Sequence, residues 1–182
     1  MKSWQTLSRK VILNHSPYLK VESHEIRLPN GTIIQDWPWI ITPDFVTIVL
    51  VTPLGEFVLF RQTKYGMDGV GLAPIGGYIE AGELPLVAAK RELLEEAGYE
   101  SDSWLHMGSY TVDGNRGAGT AHIFLALDGI KAGGDKASVE SDDLEEQEMV
   151  FLTRDEVARA LQDKVFRVLP WAAALALALH YV

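Results

Sequence analysis

Apolar and polar residues alternate through YLKVESHEIRL, break at Pro29-Asn30-Gly31 and resume in TIIQDWPWI, a pattern that predicts two strands joined by a turn over residues 18–42. Pro38 has no amide to donate and predicts an edge position for the second strand. FVTIVLVT and EFVLFRQT follow as almost unbroken β-branched and aromatic runs separated by Pro53, Leu54 and Gly55, which predicts a buried central pair.

From Thr63 to Gly82 the chain is rich in glycine, and Pro85 stands where a missing amide donor is harmless, in the first turn of a helix expected from about Leu84 to Ala97. Gly98 is its expected left-handed cap. Leu86, Val87, Leu93, Leu94 and Ala97 form the stripe expected to dock this helix on the sheet, with Ala88 and Ala89 leaving room beside its glutamates.

Two further strands, WLHMGSYTV and TAHIFLAL, are expected to flank the loop DGNRGAG, and KAGGDKASVESDDLEEQ is expected as a long acidic loop. A short strand, MVFLT, then leads to Thr153 and Glu156 at capping-box spacing, opening the helix RDEVARALQD. An Ala/Leu helix from about Pro170 to Tyr181 ends the sequence. Strands before and after one glycine-led helix predict an α/β protein around a mixed sheet, a single domain over 1–182 with an N-terminal hairpin extension, 1–42, and a core, 43–182.

Composition narrows the chemistry. The formal net charge of −9 over 182 residues argues against nonspecific nucleic-acid binding, and an anionic ligand would need local basic groups or metal cations. With no cysteine there is no disulfide, thiolate zinc site or cysteine nucleophile. The N-terminal stretch lacks an apolar run long enough for a signal peptide, and LPWAAALALALHYV is shorter than a membrane span, so a cytoplasmic setting without a membrane is expected.

Within GYIEAGELPLVAAKRELLEEAGY the expected helix holds Glu92, Glu95 and Glu96 at i, i+3 and i+4, which brings three carboxylates within about a 100° arc. Such pairs repel by a few tenths of a kcal/mol each, so something should offset them. A divalent cation would, and oxygen-only ligands favour a hard ion, Mg²⁺ or Mn²⁺, which commonly binds carboxylates together with substrate phosphates. The alternative is a solvated face whose glutamates pair with Arg91 and Lys90.

The spacing distinguishes the two. Gly77, Glu83, Arg91-Glu92-Leu93, Glu95-Glu96 and Gly98 together resemble the Nudix box, with only Tyr99 departing from its aliphatic final position. The resemblance implies a Nudix fold, a mixed β-sheet sandwiched between α-helices, over about residues 40–160. It is closest in appearance to the ADP-ribose pyrophosphatase-like branch.

For individual residues, the resemblance implies metal ligands at Glu92, Glu95 and Glu96 with the Gly76 carbonyl, and structural support from Arg91 paired with Glu83. Mg²⁺ (or Mn²⁺) would neutralise phosphate oxygens and lower the pKa of the attacking water. The implied reaction is cleavage of the pyrophosphate linkage of a nucleoside diphosphate derivative, with ADP-ribose or a nucleotide sugar as leading candidates. Glu95, Glu96 and Glu145 are the expected catalytic carboxylates, Glu145 as base with Asp143 and Glu146 as alternatives. Arg61, Lys64 and Arg116 are the expected phosphate contacts.

Trp37 and Trp39 are weighed as a base-stacking platform against a core or interface role, and His122 is read as a hydrogen-bonded strand residue outside the site. The ADP-ribose branch often carries a proline downstream of the box where this chain has Gly114-Asn115-Arg116, so other substrates stay open: damaged nucleotides, dinucleotide polyphosphates, or ligand sensing without catalysis. The expected partners are a small-molecule substrate and a second copy of the chain in a homodimer.

Overall fold

The computed structural model describes residues 2–133 and 146–182, and the alternation near the N-terminus becomes a meander of three antiparallel strands. These are β1 (Gln5–His15), β2 (Leu19–Arg27) and β3 (Ile33–Ile41). The last two are the expected hairpin, and β1 is a strand the pattern did not reveal. Every residue of β1 is exposed, so no buried face imposes the period of two that marks a strand. β3 pairs with β2 along its length, while on its other side only Ile40 is paired, in parallel, with Gly117. Pro38 therefore lies where a missing donor breaks no ladder on that second side.

Next come β4 (Phe45–Val51), β5 (Phe57–Gln62) and the short β6 (Gly71–Ala73). The box helix α1 (Pro85–Ala97) follows, closed by Gly98 in the left-handed conformation with its N–H on the carbonyls of Leu93 and Leu94. After it run β7 (Tyr99–Glu100), β8 (Ser103–Asp113), β9 (Gly117–Leu127) and β10 (Ile130–Lys131). The expected loop DGNRGAG is shorter than its composition suggested, because Gly117 onward already belongs to β9. β11 (Gln147–Leu152), α2 (Arg154–Gln162) and α3 (Leu169–Ala178) complete the order.

The chain divides into two compact units, one of residues up to Asp44 with Tyr110–Thr120, the other of Phe45–Ser109 with Ala121–Val182. In the second unit the sheet order is β9-β4-β5-β11, with β4 and β9 parallel and the other neighbours antiparallel. β6 joins it on β5 and β8 on β9. This is the mixed sheet expected from the sequence.

Both faces of that sheet are covered, which explains why its central strands are apolar on successive residues. On one face Val46, Ile48, Val58, Phe60 and Phe124 pack with Ala88, Ala89, Leu93 and Ala97 of α1. On the other, Val49, Phe57, Leu59, Ile123 and Leu125 pack with Val157 of α2 and Ala174, Leu175 and Ala178 of α3. The docking stripe of α1 differs from the expected one. Ala88 and Ala89 are fully buried, whereas Leu86 and Val87 are 39% and 53% exposed, because small side chains let the helix approach the sheet.

The capping box forms as its spacing predicts: Thr153 accepts from the Glu156 N–H, and the Glu156 carboxylate accepts from the Thr153 N–H at 2.8 Å. Thr153→Ala should therefore cost about 1 kcal/mol, seen by calorimetry as a melting temperature about 2–4 °C lower. Thr153→Ser should restore it, and an unchanged melting temperature for Thr153→Ala would show that the cap contributes nothing.

Candidate active site

The loop entering α1 is held against β4 by its backbone. Ile48 N–H donates to the Ile75 carbonyl at 2.8 Å and Val46 N–H to the Gly77 carbonyl at 2.9 Å. Two glycines allow this approach: a β-carbon at Gly76 would collide with the Val46 carbonyl, and one at Gly77 with the Glu92 carboxylate. Glu92 is thus pressed onto the loop backbone, and Glu96 is fastened beside it by the Gly76 N–H, which donates to its Oε2 at 3.0 Å.

Arg91 organises the rest. Its Nε and Nη2 form a fork on Glu83, at 3.1 and 3.0 Å, and Nη2 also donates to the Tyr78 carbonyl at 3.1 Å. Nη1 donates to Glu92 Oε1 at 2.7 Å and to Glu95 Oε2 at 2.9 Å. A guanidinium has five N–H groups, and five bonds are made. Arg91 so ties loop to helix, and its planar fork is what a lysine lacks.

The charges respond to this contact. Arg91 holds the Glu83 carboxyl below its ordinary range, helped by the Glu80 N–H and opposed by burial. In return Glu83 first, then Glu95 and Glu92, hold the Arg91 guanidinium protonated well beyond its usual range. Arg91 thus bonds three carboxylates, Glu83, Glu92 and Glu95, while Glu96 is held by the Gly76 N–H. Among the described residues no three acidic or histidine side chains converge as a ready metal centre. Arg91 takes an oxygen from each of Glu92 and Glu95, which is the solvated-face pairing in part. The donor set still suits a hard cation: all oxygen and backed by glycine backbone.

Of the expected phosphate contacts, Arg61 and Lys64 belong to the second unit and Arg116 to the first. Arg61 pairs with Glu148 at 2.8 Å across the β5–β11 ladder. Alternation along β5 puts it on the side of Phe57 and Leu59, the face packed on α2 and α3. Lys64 is half-buried in the turn after β5, with its carbonyl accepting from Met67 N–H at 2.9 Å. Arg116 belongs to the other compact unit, where it pairs with Asp113 at 3.3 Å. Glu145 and Asp143 lie outside the described residues, and Glu146 is exposed just before β11.

Beyond the box, the structure gives partners to Trp37, Trp39 and His122 and adds groups that the sequence does not single out. In the first unit Trp37 donates from Nε1 to the Asn115 carbonyl at 2.8 Å and Trp39 stacks on His24 at 5.5 Å. With Trp4, Thr6, Ile26 and Gly114 they line a pocket of about 270 Å³. Below it the buried Glu22 bridges Lys20 and His24. In the second unit Ser109 hydrogen-bonds both His106, at 3.0 Å, and His122, at 2.7 Å. Only Trp37, Trp39 and His122 gave any signal, as aromatic or titratable residues among alternating strand positions.

This loop-and-helix arrangement is that of a large hydrolase family. The NUDIX domain matches residues 42–172, and a nucleoside diphosphate sugar hydrolase N-terminal domain matches residues 4–40. The chain belongs to the Nudix family. It is a pyrophosphohydrolase acting on nucleoside diphosphate derivatives.

Among its relatives, a methanol dehydrogenase activator of Bacillus methanolicus is 24% identical over 90% of this chain and 83% of that protein. A CMP-5'-(N-acetyl-N-hydroxy-3-aminopropyl)phosphonate hydrolase of Streptomyces rubellomurinus is 25% identical over 83% and 70%. An ADP-ribose pyrophosphatase of Bacillus subtilis is 26% identical over 56% and 55%. A crystal structure described as an ADP compounds hydrolase shares the fold with a TM-score of 0.83, at 22% identity over 100% of this chain and 95% of that one.

The Glu83 fork has a pH signature. Its carboxyl is depressed in the folded state, so its contribution is complete above the ordinary value of 4.5 and is lost as pH falls through the lower folded value. Glu83→Gln should lower the melting temperature at neutral pH and flatten its fall below pH 4.5. Parallel melting curves for the two proteins across that range would contradict the assignment.

Proposed function

We propose that this chain is a Mg²⁺- or Mn²⁺-dependent hydrolase that cleaves the pyrophosphate linkage of ADP-ribose or a nucleotide sugar. The observation that carries the reading is the seating of Glu92 and Glu96 against the Gly76-Gly77 backbone, with Glu95 beside them on Arg91. Glu92, Glu95 and Glu96, with the Gly76 carbonyl, would hold the cation. When bound, the cation neutralises phosphate oxygens and makes a water proton more acidic.

The remaining roles fall to side chains. Glu83 and Arg91 keep the ligand-bearing helix in register with the loop, as supporting residues do in metal sites. Lys64, in the turn after β5, supplies positive charge for the diphosphate, and Glu145 takes a proton from the attacking water. Support for the substrate class comes from the N-terminal match to a nucleoside diphosphate sugar hydrolase domain and from the relative that is an ADP-ribose pyrophosphatase. The aromatic pocket in the first unit has the lining that a nucleobase would use for stacking.

A homodimer belongs to the same reading, supported by the exposed apolar residues Leu7, Val11, Ile12 and Leu13 on β1. A cytoplasmic setting is part of the same reading. Among the described residues no helix is long and apolar enough to cross a membrane.

Incubation with ADP-ribose, nucleotide sugars and dinucleotide polyphosphates, with Mg²⁺ or Mn²⁺ and both products identified, tests the reading. ADP-ribose should yield AMP and ribose 5-phosphate. Glu96→Gln should fold normally and turn over about 100-fold or more slowly, because it removes a charged ligand at constant size. A folded Glu96→Gln protein with near-normal Mg²⁺-dependent hydrolysis would refute the assignment.

A further inference from the structure

The end of β5 holds the one buried side-chain atom among the described residues that lacks a hydrogen-bond partner, the Oε1 of Gln62. Gln62 is only 6% exposed. Buried polar atoms are nearly always paired, so an orphaned carbonyl asks which donor completes it.

The fold points towards the box. Successive strand residues face opposite sides, so Gln62 shares the face of Val58 and Phe60, which pack beneath α1, while its neighbour Arg61 faces the other way with Glu148. The height matches too. From the paired residues Leu50 and Val58, Gln62 lies four positions along β5 and Val46 four positions back along β4. The chain between runs down one strand and up the other: Gly71 pairs with Gln62, and Gly77 hydrogen-bonds Val46. Gln62 and the Gly76-Gly77 seat of Glu92 and Glu96 therefore stand at the same level of the sheet, on the face that carries α1.

We propose that Gln62 is a water-positioning residue of the hydrolytic site, its Oε1 accepting a hydrogen bond from the water that attacks the phosphoanhydride. The inference rests on the hydrolase reading above. The water oxygen forms a bond to phosphorus, and the bridging P–O bond breaks with its electron pair leaving on the departing phosphate. One water proton passes to the base, and the other stays on the new phosphate oxygen, directed at Gln62 throughout. An amide carbonyl is too weak a base to take that proton, so it can aim the water without consuming it. A neutral glutamine also adds no further negative charge beside the box carboxylates.

Gln62→Met tests this, since it keeps the length and removes the acceptor. With ADP-ribose and Mg²⁺, kcat should fall about 10- to 100-fold with KM within about twofold. The melting temperature should hold or rise, because replacing an unpaired buried carbonyl by an apolar group is neutral or stabilising. In methanol–water mixtures the ratio of methyl ester to hydrolysis product should also shift, as a merely structural residue would not cause. Unchanged kcat, a raised KM alone, or kcat and melting temperature falling together would each overturn the proposal. If the wild-type chain cleaves none of the substrates, the hydrolase reading fails separately. A crystal structure of the wild type tests the acceptor independently of turnover: an ordered water within about 3.2 Å of Oε1 in an active protein supports the proposal, and a protein donor or a dry cavity there overturns it.

Discussion

The contact between the Arg91 guanidinium and its acidic surroundings governs the geometry of the rest of the site. Its fork on Glu83 fixes the loop that precedes α1, and its remaining donors fix Glu92 and Glu95 on the helix itself. Partly buried charge-assisted bonds are strong, and removing one partner strands the other, so the contact tolerates little change.

That contact works only because the backbone beneath it is thin. Gly76 and Gly77 let the loop run between β4 and α1, and the fully buried Ala88 and Ala89 let the helix settle onto the sheet. Glu92 then meets the backbone directly, and Glu96 is caught by an N–H of the same loop. The geometry gathers Glu92, Glu95 and Glu96 along one side of the helix, with Arg91 bonded to the first two and the Gly76 N–H to the third. Structure and function thus share a cause: the glycines that permit close packing also bring the acidic groups together.

Much of this was legible in the sequence because it is local. The box spacing, Pro85, Gly98 and the Thr153–Glu156 pair each encode a hydrogen-bonding requirement within a few residues, and each forms. β1 was not legible, since an exposed strand carries no imposed alternation. The docking stripe of α1 was misread because hydrophobicity favours Leu86 and Val87, whereas close approach favours alanine. Arg61 and Gln62 show the limit for candidate sites: composition singles out the charged residue, but only pairing register tells which of two neighbours faces α1. The group of Lys20 with the buried Glu22 and His24 was hidden because its partners assemble from strand geometry, with no motif to announce them.

The most direct measurement is a Mn²⁺ titration followed by electron paramagnetic resonance, comparing the wild-type chain with the double variant Glu92→Gln, Glu96→Gln. If the carboxylates seated around Gly76 and Gly77 are what hold the cation, the wild type binds Mn²⁺ and the variant, still folded, loses at least about tenfold in affinity. Equal Mn²⁺ affinity in the two proteins would contradict the account.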